Sequence, residues 1–450
     1  MKNSFLYVSL YSSFVDDIKK GILLPGTKLP SIRSLAQQKG LSRNTVAIAY
    51  NQLLAEGYIQ SKERSGYIVC DLDYSVLKNP LIDTKDQKPI NHDSVEITLD
   101  LSSNQVDSNL FPYSVLRKLY REVVSKENVK KILQPSPNNG LIAFRKNLST
   151  HLHISRGIQC SYEQIVIGAG TEYLLQLLLP MLSLAIKEKL ICGIENPGYN
   201  KIKRILQDTN CQITEIPLDS QGLQATKLNN SENLVYVTPS HQYPLGITMP
   251  ISRRTELLHW VYEKNNRYII EDDYDSDYRY NGKTIPALQS MDTQNRVIYI
   301  GTFSRSLSPS MRIAYAVLPM NLITCLNSEF GYYNSTVSTI EQEVLSKFIA
   351  EGHFERHVNR TRKFYLQRRN SMLSLLQEKL PDYPIFGEEA GLHFILSIPE
   401  KIATTIEKKA IDRQLKISVI HNRYILIGYA HLTEEQISQA VTLLVELLHV

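Results

Sequence analysis

The sequence predicts a small helical head that ends in a β-hairpin, followed by a large α/β domain and a smaller α+β lobe. Three observations support this fold class. Residues 1–70 show helical periodicity with glycine stops. From about residue 97, short apolar runs alternate with helical segments. Residues 350–450 mix both patterns. With 450 residues, the chain is long enough for two or three domains.

The head is predicted to contain three helices and a hairpin. Apolar residues spaced three or four apart indicate a first helix that ends near Gly21. Ser31 is placed to cap a second helix, and Ser42 a third. Strand-like runs at 58–60 and 67–69 flank a polar turn. This order is that of a winged helix-turn-helix domain.

The rest of the chain is predicted to form a largely parallel sheet with helices around it. Its strand-like runs are 165–167, 190–194, 234–238, 268–270, 297–300 and 314–318. Further strands at 393–397 and 424–429 belong to the smaller lobe. We place the domains at 1–70, 96–345 and 346–450, with the polar, proline-containing residues 71–95 as a linker.

Composition indicates a cytoplasmic globular protein. Hydrophobic residues are 43% and charged residues 21%, and five scattered cysteines without a C-x-x-C argue against disulfides or a metal site. Neither a signal peptide nor a membrane span is predicted. Residues 1–70 hold nine Lys/Arg and four Asp/Glu, so the whole net charge of +5 lies in the head. A basic face is typical of phosphate binding, but this charge by itself is a weak signal because it also suits a merely soluble surface.

The third helix of the head is the candidate recognition helix. In this fold, the residues at its N-terminus reach base edges and phosphates, and here they are Ser42, Arg43, Asn44 and Thr45. Arginine pairs with guanine, asparagine with adenine, and hydroxyls with phosphate. Further contacts from the preceding helix and the wing are predicted at Ser31, Arg33, Lys62, Arg64 and Gly66. For Arg33 or Arg43 alone, an ordinary exposed charge is the better interpretation, but together with the fold pattern we expect double-stranded DNA as the partner.

Four short motifs in the head carry a family resemblance. They are Leu24-Pro25-Gly26, Leu29-Pro30-Ser31-x-Arg33-x-Leu35-Ala36, Ser42-Arg43-x-Thr45-Val46 and Ala49-Tyr50-x-x-Leu53-x-x-Glu56-Gly57. Together they resemble the GntR family of winged-helix regulators over about residues 5–70. The resemblance implies a transcription regulator that binds promoter half-sites.

Two segments of the large domain have the composition of a phosphate site. Ala169, Gly170 and Thr171 follow a predicted strand and open a helix, where backbone amides and a hydroxyl can hold a phosphate. Ser304 and Arg312 have the spacing of a phosphate clamp. Both segments follow strands, and open α/β sheets bind ligands at the C-terminal ends of their strands.

Other strand ends offer groups suited to a flat ring. Tyr199 provides an aromatic face for stacking. Asp272 could bind a protonated ring nitrogen, and Tyr274 a ring oxygen. Taken singly, Tyr199 is better interpreted as a core or surface tyrosine. The acidic run 271–273 alone is equally a solvated or metal-binding loop. Their combination with a phosphate site favours one phosphorylated, ring-containing ligand.

Two longer stretches extend the resemblance. They are Thr-Pro-Ser-His-Gln-Tyr-Pro-Leu-Gly at 238–246 and Glu-Asp-Asp-Tyr-Asp-Ser at 271–276. The large domain resembles fold-type I pyridoxal-phosphate aminotransferases, and with the head the whole chain resembles the MocR/GabR regulators. This resemblance implies a domain-swapped homodimer with an amino compound or a B6 vitamer as effector. It also implies an effector carboxylate on Arg423 and cofactor contacts from Ala169, Gly170, Thr171, Tyr199, His241, Asp272, Tyr274, Thr302, Ser304, Arg305 and Arg312.

Arg305 departs from the aminotransferase pattern. It stands where these enzymes have the lysine that forms a Schiff base with pyridoxal 5′-phosphate. A guanidinium stays charged and is a poor nucleophile, so we expect no covalent link and no catalytic residue. Three explanations stay open: a site that binds the cofactor without a covalent bond, a site that has changed or lost its ligand, and an engineered substitution.

We therefore expect a DNA-binding transcription regulator, not an enzyme, whose aminotransferase-like domain binds pyridoxal phosphate or a related effector. Two alternatives remain. The first is an active aminotransferase with a vestigial head, against which both Arg305 and the intact DNA-contact residues speak. The second is a regulator whose large domain only dimerises.

Overall fold

The computed structural model describes residues 2–63, 65–71, 97–103, 105–280, 282 and 284–449. The chain divides into two units, Met1–Ser94 and Val95–Val450. The predicted wing residue Arg64 and nearly all of the predicted linker, residues 72–95, lie outside the described residues.

The first unit has the predicted order of three helices and an antiparallel hairpin. Its elements are α1 (Lys2–Lys19), α2 (Ile32–Lys39), α3 (Arg43–Ala55), β1 (Ile59–Lys62) and β2 (Gly66–Val69). The predicted caps are confirmed. The hydroxyl of Ser31 accepts the N–H of Ser34, and that of Ser42 accepts the N–H of Thr45. Gly40 ends α2 at a φ of 64°, a conformation that costs glycine little.

Tyr50 organises the core of this unit. Its side chain is fully buried, and its hydroxyl donates to the carbonyl of Pro30 at 3.0 Å. The rings of Phe14 and Tyr67 meet it edge-on, with centroids 5.6 and 4.8 Å away. One side chain thus joins α1, the turn before α2 and the hairpin, and it holds α3 in place as the candidate recognition helix.

The second unit is built on an eight-stranded sheet of order β4-β11-β10-β9-β8-β5-β6-β7. The neighbours from β10 through β6 pair in parallel, and β4, β7 and β11 pair antiparallel. Strands β8, β9 and β11 are buried along their whole length, which explains the apolar runs of β8, of β11 and of the first half of β9. The strands are β4 (Ile165–Gly168), β5 (Ile191–Asn196), β6 (Gln212–Asp219), β7 (Gly222–Leu223), β8 (Leu234–Val237), β9 (Tyr268–Asp273), β10 (Val297–Thr302) and β11 (Ala314–Val317).

Helices lie between most of these strands and continue after the last one. They are α4 (Tyr113–Val123), α5 (Val129–Ile132), α6 (Ile142–Arg156), α7 (Thr171–Ile186), α8 (Asn200–Asp208), α9 (Ile251–Tyr262), α10 (Met320–Glu329), α11 (Thr339–Ala350), α12 (His353–Lys379), α13 (Glu400–Ile411) and α14 (Glu434–Leu448). Within the described residues, none of the helices combines the length and apolar character that crossing a membrane requires.

The smaller lobe contains a four-stranded antiparallel sheet of order β12-β13-β16-β15. A parallel pair, β3 with β14, lies beside it. Because β3 comes from residues 99–100, the lobe also takes Leu99, Leu101 and Leu110 into its core. A single division at residue 345 therefore does not describe this lobe. Its strands are β3 (Leu99–Asp100), β12 (Ile385–Phe386), β13 (His393–Ser397), β14 (Leu415–Lys416), β15 (Ser418–Ile420) and β16 (Tyr424–Gly428).

Candidate functional site

A cavity of about 360 Å³ opens at the C-terminal ends of the parallel strands. Residues distant in sequence converge on it from the large sheet, the smaller lobe and the segment after β3. Eight predicted cofactor contacts line it: Thr171, Tyr199, Asp272, Tyr274, Thr302, Ser304, Arg305 and Arg312. Sequence reasoning did not identify Ser102, Ser103, Glu172, Lys201, Ile202, Thr238, Tyr243, Pro309, Ser418, Ile420 and Leu426.

Asp272 presents an unmet acceptor to this cavity. One carboxylate oxygen accepts the hydroxyl of Tyr236, whereas the other, Oδ1, is buried and has no hydrogen-bond partner in the described part of the chain. Burial raises the pKa of Asp272 to about 7, and the Tyr236 hydroxyl opposes that shift. A protonated ring nitrogen would supply both the missing donor and a compensating charge. The residues present therefore fit a pyridine-type ring.

The other two acidic residues of this run have internal roles. Both oxygens of Glu271 accept backbone N–H groups, from Leu288 and Gln289, at 2.8 Å. Asp273 forms a buried ion pair with Arg156 at 2.8 Å. Asp272 is thus the acidic residue of 271–273 that reaches the cavity, as its predicted role requires.

A cradle for a phosphate lies at the start of α7. Gly170 has a φ of 96°, and a Cβ there would collide with the guanidinium of Arg312. The hydroxyl of Thr302 lies 3.0 Å from that of Ser304 and accepts the N–H of Ser304 at 3.1 Å. The N–H of Ala169 is already donated to the hydroxyl of Thr336 at 3.0 Å. The remaining amides and hydroxyls suit an anion at the positive end of a helix dipole.

The two cations beside this cradle, Arg312 and Lys201, are already paired with a carboxylate. Glu172 forms ion pairs with Arg312 through one oxygen and with Lys201 through the other. Burial alone would raise the pKa of Glu172, but its bonds to Lys201 and Arg312 leave it lower than usual, so the group is ionised. An acidic residue in a first helical turn is common because of the helix dipole, so the sequence carried no special signal for this role.

Three tyrosines form the aromatic wall. The ring of Tyr199 is 37% exposed and lies 4.8 Å from that of Tyr243, tilted by 51°. Tyr274 packs edge-on against Tyr243, with centroids 6.1 Å apart. Burial raises the pKa of Tyr243 to about 12 and that of Tyr274 well above its ordinary value. Tyr243 and Tyr274 can therefore donate as neutral phenols near pH 7, and Tyr199 offers a partly exposed ring face for stacking.

His241 lies behind this wall and is not part of the cavity lining. Its Nδ1 is 2.9 Å from the carboxylate of Asp275 and 3.2 Å from the hydroxyl of Tyr274. Together with His393, this pair places three metal-ligating atoms within 4.8 Å of one another. The contacts of His241 with Asp275 and Tyr274 account for the positions of these side chains without a metal. The expected absence of a metal site stays a prediction.

Arg305 projects from the loop after β10. Its guanidinium carbon lies 5.9 Å from the ring centroid of Tyr274, and its Nη1 is buried with no partner in the described part of the chain. His357 donates to the carbonyl of Ser306 at 2.7 Å and so anchors the loop. The position therefore adds a permanent, unsatisfied donor to the cavity.

Arg423 does not line the cavity. It lies in the exposed turn between β15 and β16, with its guanidinium 5.7 Å from the ring of Tyr424. The cavity wall on that side is formed by Ser418, Ile420 and Leu426. The effector-carboxylate role of Arg423 is an untested prediction for which this geometry gives no support.

The predicted DNA-contact residues of α3 divide into two groups. Ser42, Arg43 and Asn44 are exposed at its N-terminus. Thr45 is buried, and its hydroxyl lies 2.8 Å from that of the capping Ser42. Thr45 therefore stabilises the helix start, and Arg43 and Asn44 remain available to read bases.

The flanking contacts are exposed as well. Ser31 and Arg33 lie at the start of α2, and Lys62 and Gly66 border the turn of the hairpin. The Ser31 hydroxyl is engaged as a cap. The backbone N–H groups at the start of α2, rather than the Ser31 side chain, therefore suit a phosphate. These four residues are exposed on α2 and on the hairpin, the two elements that precede and follow the candidate recognition helix α3.

Comparison with protein families and known proteins agrees with the division of the chain into two units, Met1–Ser94 and Val95–Val450. Bacterial regulatory proteins of the gntR family match residues 6–69, and aminotransferases of class I and II match residues 96–444. The HTH-type transcriptional regulator YdeL of Bacillus subtilis is 37% identical over 97% of this chain and 95% of its own length. The pyridoxine biosynthesis transcriptional regulator PdxR of Corynebacterium glutamicum is 33% identical, over 88% and 84%. The probable rhizopine catabolism regulatory protein MocR of Rhizobium meliloti is 30% identical, over 91% and 85%.

Solved structures share the fold of the second unit. An archaeal alanine:glyoxylate aminotransferase superposes with a TM-score of 0.71 at 24% identity, covering 78% of this chain and 90% of the other. The kynurenine aminotransferase of Pyrococcus horikoshii gives 0.68 at 24% identity, covering 84% and 96%. The predicted fold class, a winged helix-turn-helix head followed by an aminotransferase-like domain with a smaller lobe, is confirmed.

Proposed function

We propose, on the premise that this chain belongs to the MocR-type HTH transcriptional regulators, that its aminotransferase-like domain binds pyridoxal 5′-phosphate as an effector without a covalent link. The chain is a DNA-binding transcription regulator with an aminotransferase-like domain, as its family matches and its relatives agree. The proposal concerns the ligand and the way it is held.

The observation that carries the proposal is the unpartnered Oδ1 of Asp272. A buried carboxylate with one free oxygen is unfavourable unless a donor meets it. A pyridinium N–H is such a donor, and a ring placed there would have the aromatic wall beside it. The same cavity contains a phosphate cradle, so one ligand can satisfy both ends.

The side chains of this chain would divide the binding between them. Asp272 would pair with the ring nitrogen, and Tyr199 would stack on the ring. Tyr274, held by His241, would donate to the ring oxygen. Arg312 would bind the phosphate together with the hydroxyls of Thr171, Thr302 and Ser304. When bound, the cofactor supplies an aldehyde, and Arg305 offers it a hydrogen bond but no reactive amine.

Without a covalent bond, affinity rests on these contacts alone. Each contributes about 1–3 kcal/mol, and their sum supports dissociation constants in the micromolar range. We propose that the chain acts as a cytoplasmic homodimer, with ligand binding biasing how its two heads fit paired half-sites. The domain-swapped arrangement and an amino compound as a second effector are carried by the family resemblance.

The test is a titration with pyridoxal phosphate, read by visible absorbance and by the mobility of promoter DNA from the region upstream of the gene. We expect saturable micromolar binding that changes the DNA complex. Arg312→Gln should weaken binding about tenfold or more through the lost charge-assisted phosphate contact. Arg413→Gln is the matched control, because Arg413 is also a partly exposed arginine paired with a glutamate, far from the cavity lining.

The result also separates this proposal from its rivals. A protein that binds DNA but gives no saturable titration has a large domain that serves dimerisation only. A protein that converts an amino acid to its keto acid with bound cofactor is an enzyme after all. A ligand that binds without altering the DNA complex contradicts the effector role while leaving the cofactor site in place.

A further inference from the structure

We infer that Arg305 makes the cavity selective for pyridine-ring phosphates with an oxygen acceptor on the 4′ carbon, and that the amine form of the same ligand is rejected. Aldehyde, alcohol and carboxylate groups are such acceptors. The inference rests on the proposed function, because it specifies the ligand class of the same site.

The first step is the state of the guanidinium. Arg305 Nη1 is buried without a partner, and no carboxylate in the described part of the chain pairs with this side chain. A guanidinium does not lose its proton, so the donor and its charge persist at any ordinary pH. A ligand that brings an acceptor to this point removes an unmet hydrogen bond. A ligand that brings a second cation adds repulsion in a site with little water.

The second step is the contrast with the other cations of the cavity. Arg312 and Lys201 already share the carboxylate of Glu172 on the phosphate side. The groups that feel the charge of Arg305 are instead the phenols of Tyr274 and Tyr243 and the imidazoles of His241 and His393, and none of them is a carboxylate. Arg305 is therefore the cation left open beside the ring, where the aminotransferases carry their lysine.

The third step is the wall that the smaller lobe contributes. Ser418, Ile420 and Leu426 form it, and Arg423 lies outside it in the turn before β16. This wall gives an amino-acid carboxylate no cation to bind. Among the cations that line the cavity, Arg305 is consequently the one without a carboxylate partner, and the discrimination between an amine and an oxygen acceptor falls on it.

The experiment compares pyridoxine 5′-phosphate with pyridoxamine 5′-phosphate by isothermal titration calorimetry at pH 7.5. These ligands differ in a 4′ hydroxyl against a 4′ ammonium, and neither has an aldehyde that could react with Lys201. We expect the alcohol to bind at least about tenfold more tightly. In Arg305→Gln, which keeps a donor but removes the charge, the ratio should fall to within about threefold. The Arg413→Gln control should keep the native ratio.

A second variant guards against a loss of folding. Arg305→Met removes both the charge and the donor at a similar length, so its affinities for the two ligands should also lie within about threefold of each other. Equal affinities for the two ligands in the native protein would overturn the selectivity and leave the proposed function standing. A ratio that persists in Arg305→Gln would assign the selectivity to another group and overturn the role of Arg305. Failure of both ligands and of pyridoxal phosphate to bind would instead refute the proposed function itself.

Discussion

The substitution Asp272→Asn tests the buried carboxylate on which the proposed site depends. Asp272 lies at the end of β9, with one oxygen bonded to Tyr236 and the other unpartnered at the cavity. An asparagine has nearly the same shape and can still accept the Tyr236 hydroxyl. The substitution therefore removes the charge while leaving the packing almost unchanged.

The magnitude follows from the pKa. Burial raises the pKa of Asp272 from 3.8 to about 7. Each pKa unit corresponds to about 1.4 kcal/mol, so the ionised group costs the folded protein about 4 kcal/mol above pH 7. Because the folded-state pKa is raised, the folded protein binds the proton more tightly, and stability is lost as pH rises from about 4 to about 7. The free energy of unfolding of Asp272→Asn should exceed that of the native protein, by an amount that grows toward pH 7 and is constant above it.

The assay is urea unfolding without ligand at pH 5.5 and pH 8, followed by the fluorescence of Trp260. This is the single tryptophan of the chain and is buried in the second unit, so it reports on the aminotransferase-like domain. Burial also raises the pKa of Glu195 to about 7, and the charge of Asp272 adds to that shift. Asp272→Asn should therefore lower the pKa of Glu195 as well, which stabilises the variant in the same direction at pH 8. Asp208→Asn, at an exposed carboxylate, is the control.

Two outcomes would refute this reasoning. The first is a variant that is no more stable than the native protein at pH 8, and the second is a difference that does not shrink at pH 5.5. Saturating pyridoxal phosphate adds a further check, because the carboxylate then gains its donor. We expect the ligand to stabilise the native protein more than the variant.

Three further predictions address the other parts of the molecule. Arg305→Lys should gain a covalent adduct with pyridoxal phosphate, seen by mass spectrometry after borohydride reduction, whereas the native protein should show none at this position. Glu172→Gln should bind pyridoxal phosphate severalfold to about tenfold more tightly in the same titration, because it vacates the phosphate clamp, and Glu122→Gln on the surface should not. Arg43→Ala should weaken promoter binding by about 1–3 kcal/mol in a mobility shift at fixed salt, with unchanged thermal stability, whereas Lys20→Ala should have a much smaller effect.

Much of this protein could be predicted from local sequence signals. Serine caps, glycine stops and helical spacing marked the three helices of the head, because these effects act within one turn of a helix. Continuous apolar runs marked the buried strands, since a strand covered on both faces needs apolar residues throughout. The motifs at the strand ends identified most of the cavity lining, because parallel strands bring their C-terminal ends to one edge of a sheet.

Other features depend on contacts between distant residues, which no local pattern specifies. The roles within the run 271–273 were decided by Arg156, which is far away in sequence, and by the backbone N–H of Leu288, which lies 17 residues after Glu271. The counter-ion of Arg312 is Glu172, 140 residues earlier. The start of the second unit joins the core of the smaller lobe because Leu99 pairs with Leu415.

The sequence by itself therefore predicted the helices and hairpin of the head, most strands of the large sheet, and the edge of the sheet at which the cavity opens. The tertiary structure alone decided which side chains face the cavity and which charges they meet there. Arg423 illustrates the difference, because motif position directed it to an effector whereas the turn between β15 and β16 holds it outside the cavity and leaves Leu426 on the wall. Charge pairing and orientation arise from packing between elements far apart in the chain, and only the folded molecule specifies that packing.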